Sequence, residues 1–248
     1  MSSTHFYSSK AESYARYRWH YAPAAVDALC EIAGLNAASR VSDIGAGTGI
    51  LTRCLAGRAG YVLGVEPDLQ MLRAAQMPAD HACGLAAGCA EALPLADGWA
   101  DVLTAAQAVH WFQPLPARAE FTRVLRPGGW LALLRNRSID SEQDQALAGL
   151  SRPEYGYRAV SASQPALNVP SEFWFGARAV QRHTFAFSFR QSWEGYLGAL
   201  CSASYMPEEE DPLFPRLEQA AWAVFERFAV DGQVEVRGET ELLIGQPA

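Results

Sequence analysis

The sequence predicts an α/β protein, a mostly parallel sheet covered by helices on both faces. Three observations predict it. Short apolar runs alternate with helical periodicity from Ala22 onward, the linkers between them are short, and a glycine-rich turn joins the first apolar run to a helix. Parallel strands buried on both faces read as continuous apolar runs of this kind.

Taken in order, Ala22 to Gly34 reads as a helix with Val26, Leu29, Ile32 and Ala33 on one face and Gly34 as its stop. Arg40 to Ile44 reads as a buried strand, with a helix from about Thr48 to Ala59 after the glycine turn. Tyr61 to Val65 is a second strand, and Asp68 N-caps a helix running to Gln76. Ala82 to Ala87 and Ala100 to Ala105 are the third and fourth strands, and Pro116 to Val124 is a helix. Arg126-Pro-Gly-Gly129 reads as a turn before a fifth strand, Trp130 to Leu134. Residues 137–178 lack a clean period, which suggests an irregular lid or a flexible segment. Phe185, Phe187 and Phe189 then alternate as a strand, helical stretches follow near 192–203 and 212–228, and alternation from Val234 to Ile244 gives a final strand.

Composition narrows the function. The chain has 248 residues, a hydrophobic fraction of 50% and a charged fraction of 19%, which suits a packed globular protein. A net charge of −7 argues against nucleic acid as the main partner, because backbone binding needs a basic face. The longest uncharged stretch, Val102 to Ala117, is too short and polar to cross a bilayer. Met1 to Lys10 shows no secretory pattern, and the five scattered cysteines suit a reduced compartment, so a cytoplasmic location is expected. Histidines and cysteines show no metal-ligand spacing, and no metal is expected. Lysine occurs once, at Lys10, against 19 arginines, a skew that reads as codon bias.

The strongest local signal is Val41-Ser-Asp-Ile-Gly-Ala-Gly-Thr-Gly-Ile50. A dinucleotide-binding fingerprint needs its third glycine five positions after the first, where Ile50 stands, and no Walker-type Gly-Lys-Ser/Thr is present. The run resembles motif I of the class I S-adenosylmethionine (SAM)-dependent methyltransferases. Glu66 at the end of the second strand, Gly88-Cys-Ala-Glu-Ala-Leu-Pro94 and Val124-Leu-Arg-Pro-Gly-Gly-Trp130 fall where that family places its acid, its adenine-lining segment and its turn before strand five. Gln107-Ala-Val-His-Trp-Phe112 and Tyr14-Ala-Arg-Tyr-Arg18 resemble the small-molecule subgroup of type 11 and trans-aconitate methyltransferase-like enzymes.

The resemblance implies a Rossmann-like seven-stranded sheet with its last strand antiparallel, plus a helical or irregular cap. It implies SAM as cofactor. Asp43, Gly45, Ala46, Gly47, Thr48 and Gly49 would form the loop at its methionine end, and Glu66 would accept from both ribose hydroxyls. Pro67, Met71, Cys89, Ala90, Glu91, Gln107 and Trp111 would line the rest, with Arg18 near the carboxylate. Cys89 stands where the family often has an acid, so adenine recognition falls on the backbone near Ala90; a small buried filler is the plainer role for this thiol.

The implied activity is transfer of the sulfonium methyl to a small-molecule acceptor, in biosynthesis, by a monomer or homodimer. Carboxyl, hydroxyl, nitrogen and carbon acceptors are all compatible. The absence of an Asn/Asp-Pro-Pro-Tyr/Phe run weighs against exocyclic or amide nitrogens. A same-fold enzyme that uses SAM without methylation, as in a cyclisation, and a non-catalytic SAM-binding protein are the alternatives; a nicotinamide oxidoreductase is disfavoured by Ile50. If a base is needed, His110 past strand four and His20 are candidates, and packing is the competing role for His110. Tyr7, Tyr14, Trp19, Trp174 and Tyr205 are expected around an apolar acceptor. Residues 1–21 would cover the cofactor, 36–136 bind it, 137–230 form the cap and strand six, and 231–246 the last strand, within one domain.

Overall fold

The structure, a computed structural model, describes residues 10–159, 164–166, 168–176 and 178–247. Its strands are β1 (Arg40–Ile44), β2 (Tyr61–Glu66), β3 (Cys83–Ala87), β4 (Ala100–Ala106), β5 (Leu125–Ser138), β6 (Val180–Ser192) and β7 (Gln233–Gly245). They form one seven-stranded sheet in the order β3-β2-β1-β4-β5-β7-β6. The pairs among β1 to β5 are parallel, and β7 runs antiparallel to both β5 and β6. The expected sheet and its reversed last strand are therefore present.

Both faces are covered because each central strand is apolar on both sides. Ile44, Leu103 and Leu131 pack with Phe121 and Trp174 on one face. Val41, Val62, Val102 and Leu134 pack on the other with Leu29, Leu51 and Leu55. The helices are α1 (Ala11–Tyr17), α2 (Pro23–Ile32), α3 (Ile50–Leu55), α4 (Leu69–Ala74), α5 (Pro114–Val124), α6 (Ser141–Ala148), α7 (Trp193–Cys201) and α8 (Phe214–Phe228). Asp68 caps α4 as expected, its carboxylate accepting from the amides of Gln70 and Met71.

Two sequence expectations need correction. Arg126–Gly129 does not precede the strand but bulges within it: Ala100 pairs with Leu125, and the next pair is Val102 with Trp130. The Arg126 guanidinium grips the Asp101 carboxylate at 2.6 Å, so the two strands stay joined around the bulge. The stretch after Asn136 is also more regular than expected. Strand β5 continues to Ser138, and α6 follows, with Asp140 accepting from the Gln143 amide at its start. Asp140 followed three residues on by Gln143 is a capping-box spacing that could have announced this helix.

Helix α1 lies between α4 and α7 and is pinned by Lys10. The Lys10 side chain is buried, and its ammonium donates to the main-chain oxygens of Cys201 (2.8 Å), Ala203 (3.0 Å), Met206 (2.5 Å) and Pro207 (3.3 Å). A buried charge is tolerable only with such a shell of partners. The one lysine in the sequence is thus the peg that docks α1 onto the turn after α7.

Candidate active site

The carboxyl ends of β1, β2 and β4 surround a cavity of about 690 Å³. It lies where open α/β sheets take their ligands. The glycine loop after β1 shapes one wall. Gly45 sits at φ +70°, and a Cβ there would stand 2.6 Å from the Ala108 Cβ, so both its backbone and its surroundings demand glycine.

Two acids organise this wall. Asp43 is fully enclosed, and its two oxygens accept from the Thr52 and Thr104 hydroxyls at 2.8 and 2.9 Å. Burial raises it to about 6, against the pull of those two hydroxyls. Glu66 accepts from the Gly47 amide through Oε2 at 2.8 Å and from the Asp68 amide through Oε1 at 2.9 Å. Burial again dominates and lifts Glu66 to about 7.

Most of the expected cofactor residues line this cavity: Asp43, Gly45, Ala46, Gly47, Glu66, Pro67, Met71, Cys89, Ala90, Glu91, Gln107 and Trp111. Thr48 and Gly49 do not; Thr48 is buried with Oγ1 unpartnered, and Gly49 caps α3 in a left-handed conformation.

A second cavity of about 390 Å³ adjoins the first. Tyr14, Tyr21, Ile50 and Gln107 line both. Gln107 holds φ at +54°, unusual for a residue with a side chain, while its amide donates to Leu134 and its Nε2 to the Asn136 oxygen. Arg18 lines the second cavity, its guanidinium 5.3 Å from the Tyr14 ring centre. Trp19 and Tyr205 line it too.

Other expected site residues fall elsewhere. Trp174 lines neither cavity; it is 1% exposed and packs against Phe112, Phe121 and Phe173 in the core. The short turn Ser171–Phe175 packs into the core cluster on one face of the sheet, and this ring goes with it. His20 is exposed, and its carbonyl accepts from Asn136. His110 lines neither cavity and is held down at about 4 by burial and by the Arg18 charge. Tyr7 lies outside the described residues. Sequence reasoning did not place Tyr21 or Ile50 in the site; Tyr21 reaches the shared wall from the connection after α1, and Ile50 from the first residue of α3 behind the glycine loop.

Residues 42–133 match the methyltransferase domain family. The chain carries a class I SAM-dependent methyltransferase domain. It is 42% identical over 130 residues to an uncharacterized methyltransferase of Mycobacterium tuberculosis, covering 52% of this chain and 51% of that one. It is 33% identical over 227 residues to the biotin biosynthesis bifunctional protein BioCD of Bordetella avium, covering 81% of this chain and 44% of that one. The chain spans about half the length of the curated relatives it matches. Among solved structures, a candidate type II methyltransferase from Anaeromyxobacter dehalogenans shares the fold, with a TM-score of 0.66 at 23% identity over 94% of this chain and all of that one. Among the described residues, no group of three or more His, Cys, Asp or Glu is placed to hold a metal ion, and no helix is long and apolar enough to cross a membrane.

Proposed function

We propose that the protein transfers the sulfonium methyl of SAM to a small molecule seated in the second cavity. The observation that carries this reading is the shared wall: a cavity at the methyltransferase glycine loop adjoins a second one across Tyr14, Tyr21, Ile50 and Gln107. A methyl donor and its acceptor must meet at such a boundary, with the nucleophile in line with the S–C bond.

The donor set suits the cofactor. Glu66 would accept from the ribose hydroxyls, the main chain from Gly45 to Gly47 would border the methionine end, and Cys89 to Glu91 would border the adenine; all of these line the first cavity. When bound, SAM supplies an already activated methyl group. The protein's part is then to enclose, orient and exclude water, and Tyr14 and Gln107 do this from both sides of the boundary. His110, held neutral and away from both cavities, serves by packing beside Trp111 rather than as a base. The acceptor therefore brings its own lone pair. The acidic balance supports an acceptor other than nucleic acid.

Calorimetric titration with S-adenosylhomocysteine, followed by incubation of the protein with methyl-labelled SAM and a metabolite extract, tests the reading. Binding and a labelled small molecule are expected. Cofactor turnover without a methylated product would turn the reading toward a non-methylating enzyme, and no cofactor binding would end it.

A further inference from the structure

The second cavity contains a hydroxyl with nothing to bond. Tyr196, on α7, is 5% exposed and lines this cavity, and its Oη has no hydrogen-bond partner among the described residues. Its ring is held in place by Phe225 at 5.5 Å and Trp193 at 6.4 Å, so the hydroxyl cannot swing out to bulk water. A buried, unpaired hydroxyl costs stability that the fold recovers only when a partner arrives.

Three other polar side chains of the lining are already engaged. Asn136 donates to the His20 oxygen and accepts from the Thr240 hydroxyl. Arg137 is paired with Glu239, and Gln143 donates to the Glu235 oxygen. Around Tyr196 itself the packing is apolar, with Phe225, Val234, Leu147 and Val224 in the same cluster. The two arginines that line the cavity are placed elsewhere, Arg18 over the Tyr14 ring and Arg137 against Glu239. The phenol is protonated at neutral pH, since burial pushes it up to about 12, so it is available as a donor.

We propose that Tyr196 Oη is a specificity-determining donor for an uncharged carbonyl oxygen on an otherwise apolar acceptor, remote from the atom that is methylated. The acceptor class is an aromatic or aliphatic ketone-bearing molecule. This rests on the reading of the second cavity as the acceptor site.

The test is a matched pair of probes, acetophenone and ethylbenzene, titrated by NMR into wild type and Tyr196→Phe, each with and without saturating S-adenosylhomocysteine. Wild type is expected to bind acetophenone about fivefold more tightly than ethylbenzene, the worth of one hydrogen bond. Tyr196→Phe removes that preference and leaves ethylbenzene unchanged. Thermal unfolding of the variant is expected to match or exceed wild type, because the lost hydroxyl had no partner. Equal binding of the two probes to wild type, binding of neither, or a preference that survives Tyr196→Phe (the hydroxyl being served by water only) each overturns the proposal. Failure of S-adenosylhomocysteine to bind wild type speaks against the cofactor reading alone, since the probe pair still judges Tyr196 without it.

Discussion

The Gly47 amide donates to the Glu66 carboxylate across 2.8 Å, tying the glycine loop after β1 to the last residue of β2. The other oxygen of the same carboxylate takes the Asp68 amide, so one side chain braces the loop and the start of α4 together. Burial nevertheless holds Glu66 at about 7, which makes its ionisation a switch within the physiological range.

Ribose hydroxyls donate more strongly to a carboxylate than to a carboxylic acid, which keeps fewer acceptor sites and adds a competing donor. Affinity for S-adenosylhomocysteine should therefore follow the ionised fraction of Glu66 and rise roughly tenfold between about pH 6 and pH 8. Calorimetry in buffers of differing ionisation enthalpy should show proton release near neutrality. In the absence of cofactor the sign is reversed for stability. A raised carboxyl binds its proton more tightly when folded, so its contribution is present below about 4.5 and fades as the pH climbs through about 7. A flat affinity profile across that range would remove Glu66 from the ribose site.

His110 gives a second pH prediction. Its imidazole is held at about 4, first by burial and then by Arg18. Methyl transfer should show no inflection near 6.5 assignable to this residue, and His110→Gln should keep the rate within about threefold of wild type. A loss on the order of a hundredfold or more, with cofactor binding intact, would restore His110 as the base.

Helix α1 offers a third. Gly198 on α7 faces the Tyr17 ring so closely that a Cβ would stand 2.4 Å from it. Gly198→Ala should push α1 off α7 and expose Lys10, whose ammonium is otherwise enclosed by four main-chain oxygens. Because the sequence has one lysine, its acetylation, followed by mass spectrometry, reads the opening directly. Slow labelling in wild type, slower still with S-adenosylhomocysteine, and fast labelling in Gly198→Ala are expected. Lys10→Met should cost about 1–3 kcal/mol by leaving those oxygens unpaired.

The sheet was legible because its signals are local. Short strand signals such as Tyr61 to Val65 and Ala100 to Ala106, and the glycine loop between strand and helix, declare themselves within ten residues. The first cavity was legible for the same reason, since Asp43, Gly45, Gly47 and Glu66 all sit at or just past the ends of β1 and β2. What escaped depends on distant chain segments meeting. Lys10 finds its partners 191 to 197 residues away, and Tyr21 reaches the shared wall through the path of the chain, so no periodicity announces either. Aromatic composition alone misplaced Trp174, because an indole suits a core as well as a pocket.

That misplacement makes a clean experiment. Trp174 is 1% exposed, with its ring 5.7 Å from Phe121 and 6.1 Å from Phe112, and neither cavity touches it. Trp174→Ala removes a large buried side chain under the sheet and should destabilise the fold by about 3–5 kcal/mol in denaturant unfolding. Trp174 reaches the first cavity only through Phe112, so S-adenosylhomocysteine affinity measured well below the unfolding transition should fall far less than stability, within about fivefold of wild type. An acceptor-site tryptophan would behave the other way, losing turnover with little change in stability. The ratio of the two effects therefore separates a core role from a pocket role at this one position.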